Sequence, residues 1–349
     1  MEFKIGNINI GQNHKPLVIA EMSGNHNQSL ERALKIVEAA ALAGAHVLKL
    51  QTYTADTMTM DVNKKDFQID EDSSLWKGQS LYSLFEKAHT PWDWHKPIMD
   101  KAKSLNMLCF STPFDESAVD FLEDLNVPAY KIGSFENTHI PLIKKVARTG
   151  KPVIISTGMA SIAEIDHLVR ILRSESCNEF ALLKCTSTYP ASAKNSNILT
   201  IPNMRDLFNC EVGLSDHTMG IGTSIAAVSH GATIVEKHFT TSRADGGVDS
   251  EFSMEPDEMK LLVRESFKAW ESLGGISYGS TKDELDSTRY RRSIYVAIDI
   301  KKGHILKLED LKIIRPGSGL EPKLIDVVVG LKVNEDIAKG TPLQWSFFK

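Results

Sequence analysis

The sequence predicts an α/β protein, a (β/α)8 TIM barrel followed by a small β-rich domain. Three observations carry this. Eight short apolar runs with strand character recur before Leu273. Segments of helical periodicity separate most of them. After Leu273 the text turns polar and then becomes a series of short strands. An open doubly wound sheet shares the alternation, but no G-x-G-x-x-G follows the first run.

The runs are Leu17–Met22, His46–Gln51, Met107–Ser111, Ala129–Ile132, Val153–Ser156, Phe180–Cys185, Glu211–Leu214 and Thr233–Val235. They are short and bounded by polar or turn residues, as buried parallel strands are. Between them, Leu30–Ala43 places Leu34, Val37 and Ala41 on one face. Ser161–Arg173 does the same with Ile165, Leu168 and Leu172, and Pro256–Leu273 with Met259, Leu262, Val263 and Phe267. Helix starts are signposted. Ser29 precedes L-E-R, Ser161 precedes I-A-E at capping-box spacing, and Pro256 precedes Asp257.

One connection is long. About forty residues separate Gln51 from Pro91, including Trp76 and the run Leu81–Phe85. They follow a strand, on the end of a barrel where active sites sit, so the insertion reads as a substrate cover or as a structural excursion. The organisation read from sequence is a barrel over 1–274, a polar linker over 275–291 and a β-rich domain over 292–349. That last domain carries D-I-x-K-G twice, at Asp299–Gly303 and Asp336–Gly340.

Composition excludes some classes. The 349 residues are 42% hydrophobic and 24% charged, an ordinary globular balance. A net charge of −5 argues against a nucleic-acid binder. No apolar run approaches ~20 residues, so no membrane span is expected. The start, M-E-F-K-I-G, is not a secretory signal, and the four cysteines (Cys109, Cys177, Cys185, Cys210) show no C-x-x-C spacing. Reduced thiols in a cytoplasmic protein are the expectation.

In a parallel barrel the functional groups follow the strand ends. Read that way, the runs deliver Glu21 with Asn25 and His26; Lys49 and Gln51; Ser111 and Thr112; Lys131, Ser134 and Glu136; Ser156 and Thr157; Lys184, Ser187 and Tyr189; Ser215, Asp216 and His217; and Glu236 and His238. A lysine inside V-L-K-L or A-Y-K-I is costly to bury unpaired. Lys49 and Lys131 therefore face an anion among the small hydroxyls, or pair with nearby glutamates. His217 and His238 follow neighbouring runs. Neighbouring strands lie roughly 5 Å apart, so two imidazoles there can share a divalent ion and leave positions open for oxygen donors. The alternative is that both are ordinary packed histidines.

These strand-end motifs resemble those of the sialic acid synthases, which condense phosphoenolpyruvate with an N-acetylated amino sugar. The matching stretches are A-E-M-S-G-N-H (20–26), L-K-L-Q-T-Y (48–53), F-S-T-P-F (110–114), Y-K-I-G-S-F-E (130–136), S-T-G-M (156–159), K-C-T-S-T-Y-P (184–190), G-L-S-D-H-T (213–218) and E-K-H-F (236–239). R-P-G-S-G-L (315–320) falls in the small domain, which resembles the antifreeze-like (SAF) domain of that family. Within the family, residues 75–95 and G-L-E-P-K (319–323) look most like the branch that makes pseudaminic acid. That implies 2,4-diacetamido-2,4,6-trideoxy-L-altrose as the sugar, with the N-acetylneuraminate and N,N'-diacetyllegionaminate branches as alternatives.

The resemblance also implies roles. His217 and His238 match the ligands of Mn²⁺ or Mg²⁺. Lys49, Thr112, Lys131, Ser134, Ser156 and Ser215 match the phosphoenolpyruvate pocket. Glu21, Gln51, Tyr189 and Asp249 match sugar contacts, and Glu136 and Glu236 match acid/base candidates, either of which could deprotonate the water. Arg315 matches an arginine that the small domain delivers into the partner's barrel, which implies a homodimer with swapped C-terminal domains. Ser187 departs from the asparagine frequent in relatives, and T-S-R-A-D-G-G-V-D (241–249) departs from their R-P-G-P-D; both bear on the sugar. Outside the family, the residues would also suit a metal-dependent barrel isomerase or aldolase, or a non-catalytic carbohydrate-binding protein.

Overall fold

The computed structural model describes residues 2–70 and 75–348. The chain divides into two compact units, Met1–Gly274 and Gly275–Lys349.

The first unit opens with a hairpin that the sequence reading did not anticipate, β1 (Phe3–Ile5) against β2 (Ile8–Ile10). Its turn is Gly6-Asn7, with Gly6 at φ 57°, a conformation glycine adopts without strain. Phe3, Ile5 and Ile10 pack into the barrel core.

The next eight strands form a closed, all-parallel barrel, and the predicted fold class is the observed one. They are β3 (Leu17–Glu21), β4 (Val47–Thr52), β5 (Leu108–Pro113), β6 (Tyr130–Ile132), β7 (Val153–Ser156), β8 (Phe180–Cys185), β9 (Glu211–Ser215) and β10 (Ile234–His238), with β10 closing onto β3. Strands buried on both faces need continuous apolar runs, and V-I-I-S and F-A-L-L supply them. Register sets Glu21 opposite Lys49, Gln51 opposite Thr112, and Glu236 opposite Ser215.

Helix α1 (Leu30–Leu42) starts where Ser29 Oγ accepts the Arg32 amide. Its buried stripe is Ala33, Ile36, Val37 and Ala40. The expected stripe is thus turned by part of a turn, leaving Leu34 and Ala41 half-buried beside it. This run of small apolar residues fits either helical register. The long connection after β4 contains α2 (Ala55–Met58) and α3 (Leu81–Ala88); α4 (Trp92–Ser104) then makes the return crossover. The remaining crossovers are α5 (Glu116–Asp124), α6 (Ile140–Ala147), α7 (Ile162–Ser174), α8 (Thr200–Phe208) and α9 (Gly222–Ser229), and α10 (Pro256–Leu273) follows β10. α7 has the expected Ser161–Glu164 capping box and buries Ile165, Leu168 and Leu172.

In the second unit, β11 (Ser293–Val296) pairs antiparallel with β12 (Leu311–Ile314) over a core of Ile294, Val296, Leu306, Leu311, Val333 and Leu343. The two D-I-x-K-G phrases are partners. Ile300 and Ile337 exchange backbone hydrogen bonds of 2.8 and 2.9 Å. Asp336 accepts the Lys302 amide at 2.8 Å, and Asp299 accepts the Lys339 amide at 2.7 Å. The repeat is therefore a local two-fold, with Gly303 (φ 89°) and Gly340 (φ 84°) turning the chain in each half. A short helix, α11 (Ile325–Val328), completes the unit.

Candidate active site

A cavity of about 570 Å³ opens at the carboxyl ends of the barrel strands. Thirteen of the fourteen barrel residues to which the resemblance gives a role line it; the exception, Glu21, lies against its edge, hydrogen-bonded to Gln51 and paired with Lys49. Of the other strand-end residues, Ser187 lines it too, whereas Asn25, His26, Ser111, Thr157, Lys184 and Asp216 do not. Arg315 belongs to the second unit.

One side of the cavity is cationic. Lys49 Nζ lies 2.6 Å from Glu21 Oε2, 3.2 Å from Thr112 Oγ1 and 3.6 Å from Glu236 Oε1. Lys131 Nζ donates to Ser156 Oγ at 2.7 Å and lies 3.8 Å from Glu236 Oε1. Ser215 Oγ donates to the same Glu236 oxygen at 3.3 Å. The two expectations for the lysines thus meet, since their carboxylate partners stand in the cavity itself. Ser134 Oγ accepts the Gly158 amide at 3.2 Å. A Cβ at Gly158 would collide with the Ser134 and Ser187 hydroxyls, which is why S-T-G-M needs glycine there.

The carboxyl groups are driven apart. Burial pushes Glu21 up to about 7, against the pull of Lys49. Burial also raises Glu136 above the usual carboxylate range. Burial would do the same to Glu236, but Lys131 and Lys49 outweigh it and hold this carboxylate low. Glu136 Oε2 and Glu236 Oε2 are buried without a hydrogen-bond partner within the protein.

The other side holds the histidines. Their ring centroids are 5.3 Å apart, with Tyr189 4.4 Å from His217 and 6.3 Å from His238. His217 Nδ1 contacts the Thr186 carbonyl at 3.0 Å. A carbonyl only accepts, so Nδ1 carries a proton and Nε2 is the nitrogen left to bind a cation. Burial would lower His217, but the neighbouring Cys185 raises it above the usual imidazole range, so Nε2 offers its lone pair only once its own proton has left. Burial, then the charge of His217, keeps His238 neutral. Its Nδ1 has no hydrogen-bond partner within the protein and stands 3.6 Å from Asp249 Oδ2. Two neighbouring imidazoles beside a carboxylate fit a divalent cation that takes its other ligands from oxygen and displaces the proton from His217. Among the described residues, no three His, Cys, Asp or Glu side chains form a complete protein-only cluster.

The sequence reading missed several residues at the site. Ser23 (φ 48°) donates to Asp249 across the barrel seam. Cys185 Sγ lies 3.9 Å from His217 Nδ1; burial would raise its thiol, but His217, Ser134 and Lys131 bring it down to about 7. The long insertion reaches the site: its Met58, Ile69, Trp76, Leu81, Leu84 and Phe85 form an apolar wall of the cavity. Trp76 Nε1 donates to the Val248 carbonyl at 3.0 Å, and its ring is 6.1 Å from Tyr189. Asn25 and His26, read as strand-end groups, instead serve packing. Asn25 Nδ2 donates to the Phe239 carbonyl and to Ser253 Oγ, and His26 bonds Thr90. All four cysteines are buried and free. No helix among the described residues is long and apolar enough to cross a membrane.

A closed parallel barrel with paired lysines, split carboxylates and two neighbouring histidines defines a barrel enzyme that handles an anionic substrate. Comparison with known proteins places it. The NeuB family model matches residues 36–278, and the SAF domain model matches residues 291–349. A pseudaminic acid synthase of Campylobacter jejuni is 39% identical over 99% of this chain and 100% of its own length. An N,N'-diacetyllegionaminic acid synthase of the same species is 34% identical over 90% of this chain and 95% of its own. The solved structure of the N-acetylneuraminic acid (sialic acid) synthetase of Leptospira borgpetersenii, in complex with citrate, has a TM-score of 0.74 at 31% identity, covering 83% of this chain and 96% of that one. The chain belongs to the NeuB family, with a C-terminal SAF domain, and is an enzyme of the synthase type.

Proposed function

We propose that this enzyme condenses phosphoenolpyruvate with 2,4-diacetamido-2,4,6-trideoxy-L-altrose and water, giving pseudaminic acid and phosphate. The observation that carries the condensation is the pairing of two buried lysines with Glu236 on one side of a cavity whose other side holds the two histidines. The choice of sugar is supported by the identity to pseudaminic acid synthase and by the apolar wall of the insertion, which suits a 6-deoxy, diacetylated sugar.

In the proposed mechanism Lys49 and Lys131 neutralise the phosphate and carboxylate of phosphoenolpyruvate, an electrostatic role set before substrate arrives. C3 attacks the aldehyde carbon of the ring-opened sugar, and the new alkoxide takes a proton from Glu136, whose raised affinity for protons suits an acid. Water adds to C2, losing a proton to the ionised Glu236. Phosphate leaves with its bridging oxygen by C–O cleavage, and C2 becomes the ketone. Glu21, Gln51, Tyr189 and Asp249 bind the sugar. His217 and His238 would hold a divalent cation, Mn²⁺ or Mg²⁺, which supplies Lewis-acid polarisation of the sugar carbonyl when bound. Arg315 of a partner subunit would complete the site in a homodimer, and the enzyme would work in the cytoplasm.

The test is phosphate release over a panel of acetamido sugars, with phosphoenolpyruvate and EDTA controls. Preference for the altrose derivative supports the full reading. Preference for N-acetylmannosamine, or for the diacetamido precursor of legionaminic acid, moves the enzyme to a sister branch. Turnover of sugar without phosphoenolpyruvate would instead indicate an aldolase or isomerase. Labelled water oxygen appearing in phosphate would exclude C–O cleavage.

A further inference from the structure

His217 and His238 are each preceded by a charged residue that faces away from the cavity, and these two meet. Asp216 and Lys237 are buried, at 3% and 1% exposure. Lys237 Nζ stands 3.2 Å from Asp216 Oδ2 and also donates to the carbonyls of Thr218 and Gly220. That uses all three ammonium protons. Asp216 Oδ1 accepts the Thr218 amide at 2.8 Å, and Oδ2 accepts Ser224 Oγ of α9 at 2.6 Å. The cluster ties β9, β10, the loop between Thr218 and Gly220, and α9 into one knot.

Strand geometry explains the placement. Ser215 and His217 line the cavity from β9 and the residues just beyond it, as Glu236 and His238 do from β10. Side chains alternate, so Asp216 and Lys237 fall on the opposite face. The ladder pairs Glu236 with Ser215 and continues through the Asp216 amide to the Glu236 carbonyl at 2.9 Å. The next step sets Lys237 beside Asp216 and His238 beside His217.

We propose that the Asp216–Lys237 pair is a positioning strut, which fixes the ends of β9 and β10 so that His217 and His238 present their imidazoles at the separation a shared cation needs. This rests on the reading of the two histidines as metal ligands. A buried ion pair is a poor way to gain stability, because well-packed apolar residues serve as well or better. What the pair adds is fixed directions: six groups from four segments point at one place, one residue behind each imidazole. The lysines of the phosphoenolpyruvate side, Lys49 on β4 and Lys131 on β6, make no contact with it, and Ser215 and Glu236, which adjoin it, are already fixed by the strand ladder.

The experiment compares wild type, Lys237→Met, the neutral double variant Asp216→Asn/Lys237→Met, and His217→Ala/His238→Ala. Mn²⁺ binding is read directly from the loss of the free-ion electron paramagnetic resonance signal, beside thermal melts and KM for phosphoenolpyruvate. The double variant removes the stranded buried carboxylate that threatens folding in the single one. The expected result is folded strut variants that bind Mn²⁺ about 10–100-fold more weakly, with KM for phosphoenolpyruvate unchanged. Mn²⁺ affinity equal to wild type in either folded variant would overturn the strut. So would a parallel rise in the phosphoenolpyruvate KM, which marks general loosening. If wild type and the histidine variant bind Mn²⁺ alike, the metal reading itself fails; if only the histidine variant loses binding, the strut alone fails.

Discussion

Glu21 and Lys49 stand directly opposite each other on β3 and β4 and form a 2.6 Å ion pair closed off from solvent. The pair sets a pH dependence. Glu21 titrates at about 7 because burial disfavours its charged form more than Lys49 favours it. An unfolded glutamate titrates near ~4.3. Between those values the folded chain keeps a proton that the unfolded chain has released. The stability Glu21 contributes therefore falls as pH rises through this window. Glu21→Gln removes that contribution, so its urea midpoint should drop less between about pH 5 and about pH 8 than that of wild type. Equal drops would show that Glu21 does not titrate there.

Lys131 bears on substrate and base together. It is buried against Ser156 and helps hold Glu236 ionised. Lys131→Met should raise KM for phosphoenolpyruvate by about 100-fold, ~2.7 kcal/mol, within the range for truncating a buried charged contact. With one lysine gone, the Glu236 carboxyl moves up, so the acid limb of the rate profile should shift to higher pH. A changed KM with an unmoved limb would mean that Glu236 is not the group that accepts the proton from water.

Trp76 links the insertion to the sugar side of the cavity. Its N–H is engaged by the Val248 carbonyl, so the indole offers the cavity an apolar face and no free donor. Trp76→Ala should weaken sugar binding by about tenfold, the scale of one aromatic contact plus its burial, and leave KM for phosphoenolpyruvate unchanged. It should also narrow the preference for 6-deoxy over 6-hydroxy sugars. A parallel loss for both substrates would mark Trp76 as part of the insertion's fold only.

Local pattern made much of this legible in the sequence. The strands show as apolar runs, and reading the residues that follow them finds Ser215, His217, Glu236 and His238, all of which line the cavity. What stayed hidden depends on contacts far apart in the chain. Ser23 meets Asp249 across 226 positions, and nothing near either residue signals it. Cys185 reads as a buried reduced thiol because it ends the strand-like run F-A-L-L-K-C; only folding brings His217 beside it. The face of the insertion that lines the cavity likewise follows from three-dimensional closure. Asn25 and His26 follow a strand end yet turn into the packing, because a strand-end position shows where a side chain begins and not where it points. The stripe of α1 shifted because an alanine-rich helix satisfies two neighbouring registers.

Arg315 gives the most demanding test of the proposed assembly. The residues lining the cavity all come from the barrel unit, while Arg315 lies in the SAF unit, in the R-P-G-S-G-L loop after β12. A guanidinium there suits an acyl-amino group of the sugar, which offers a carbonyl acceptor. Arg315→Ala should fold normally and lose most activity. His238→Ala should lose activity through the barrel. If each barrel takes Arg315 from its partner, a mixed dimer of the two variants contains one barrel with His238 intact, served by the intact arginine of the other chain. The same mixture contains no complete site if the arginine acts within its own chain. Co-expression with two affinity tags isolates the mixed species, and phosphate release from it should approach half the wild-type rate. Verified mixed dimers without recovered activity would rule out the exchange and return Arg315 to its own barrel, or to no role in the reaction.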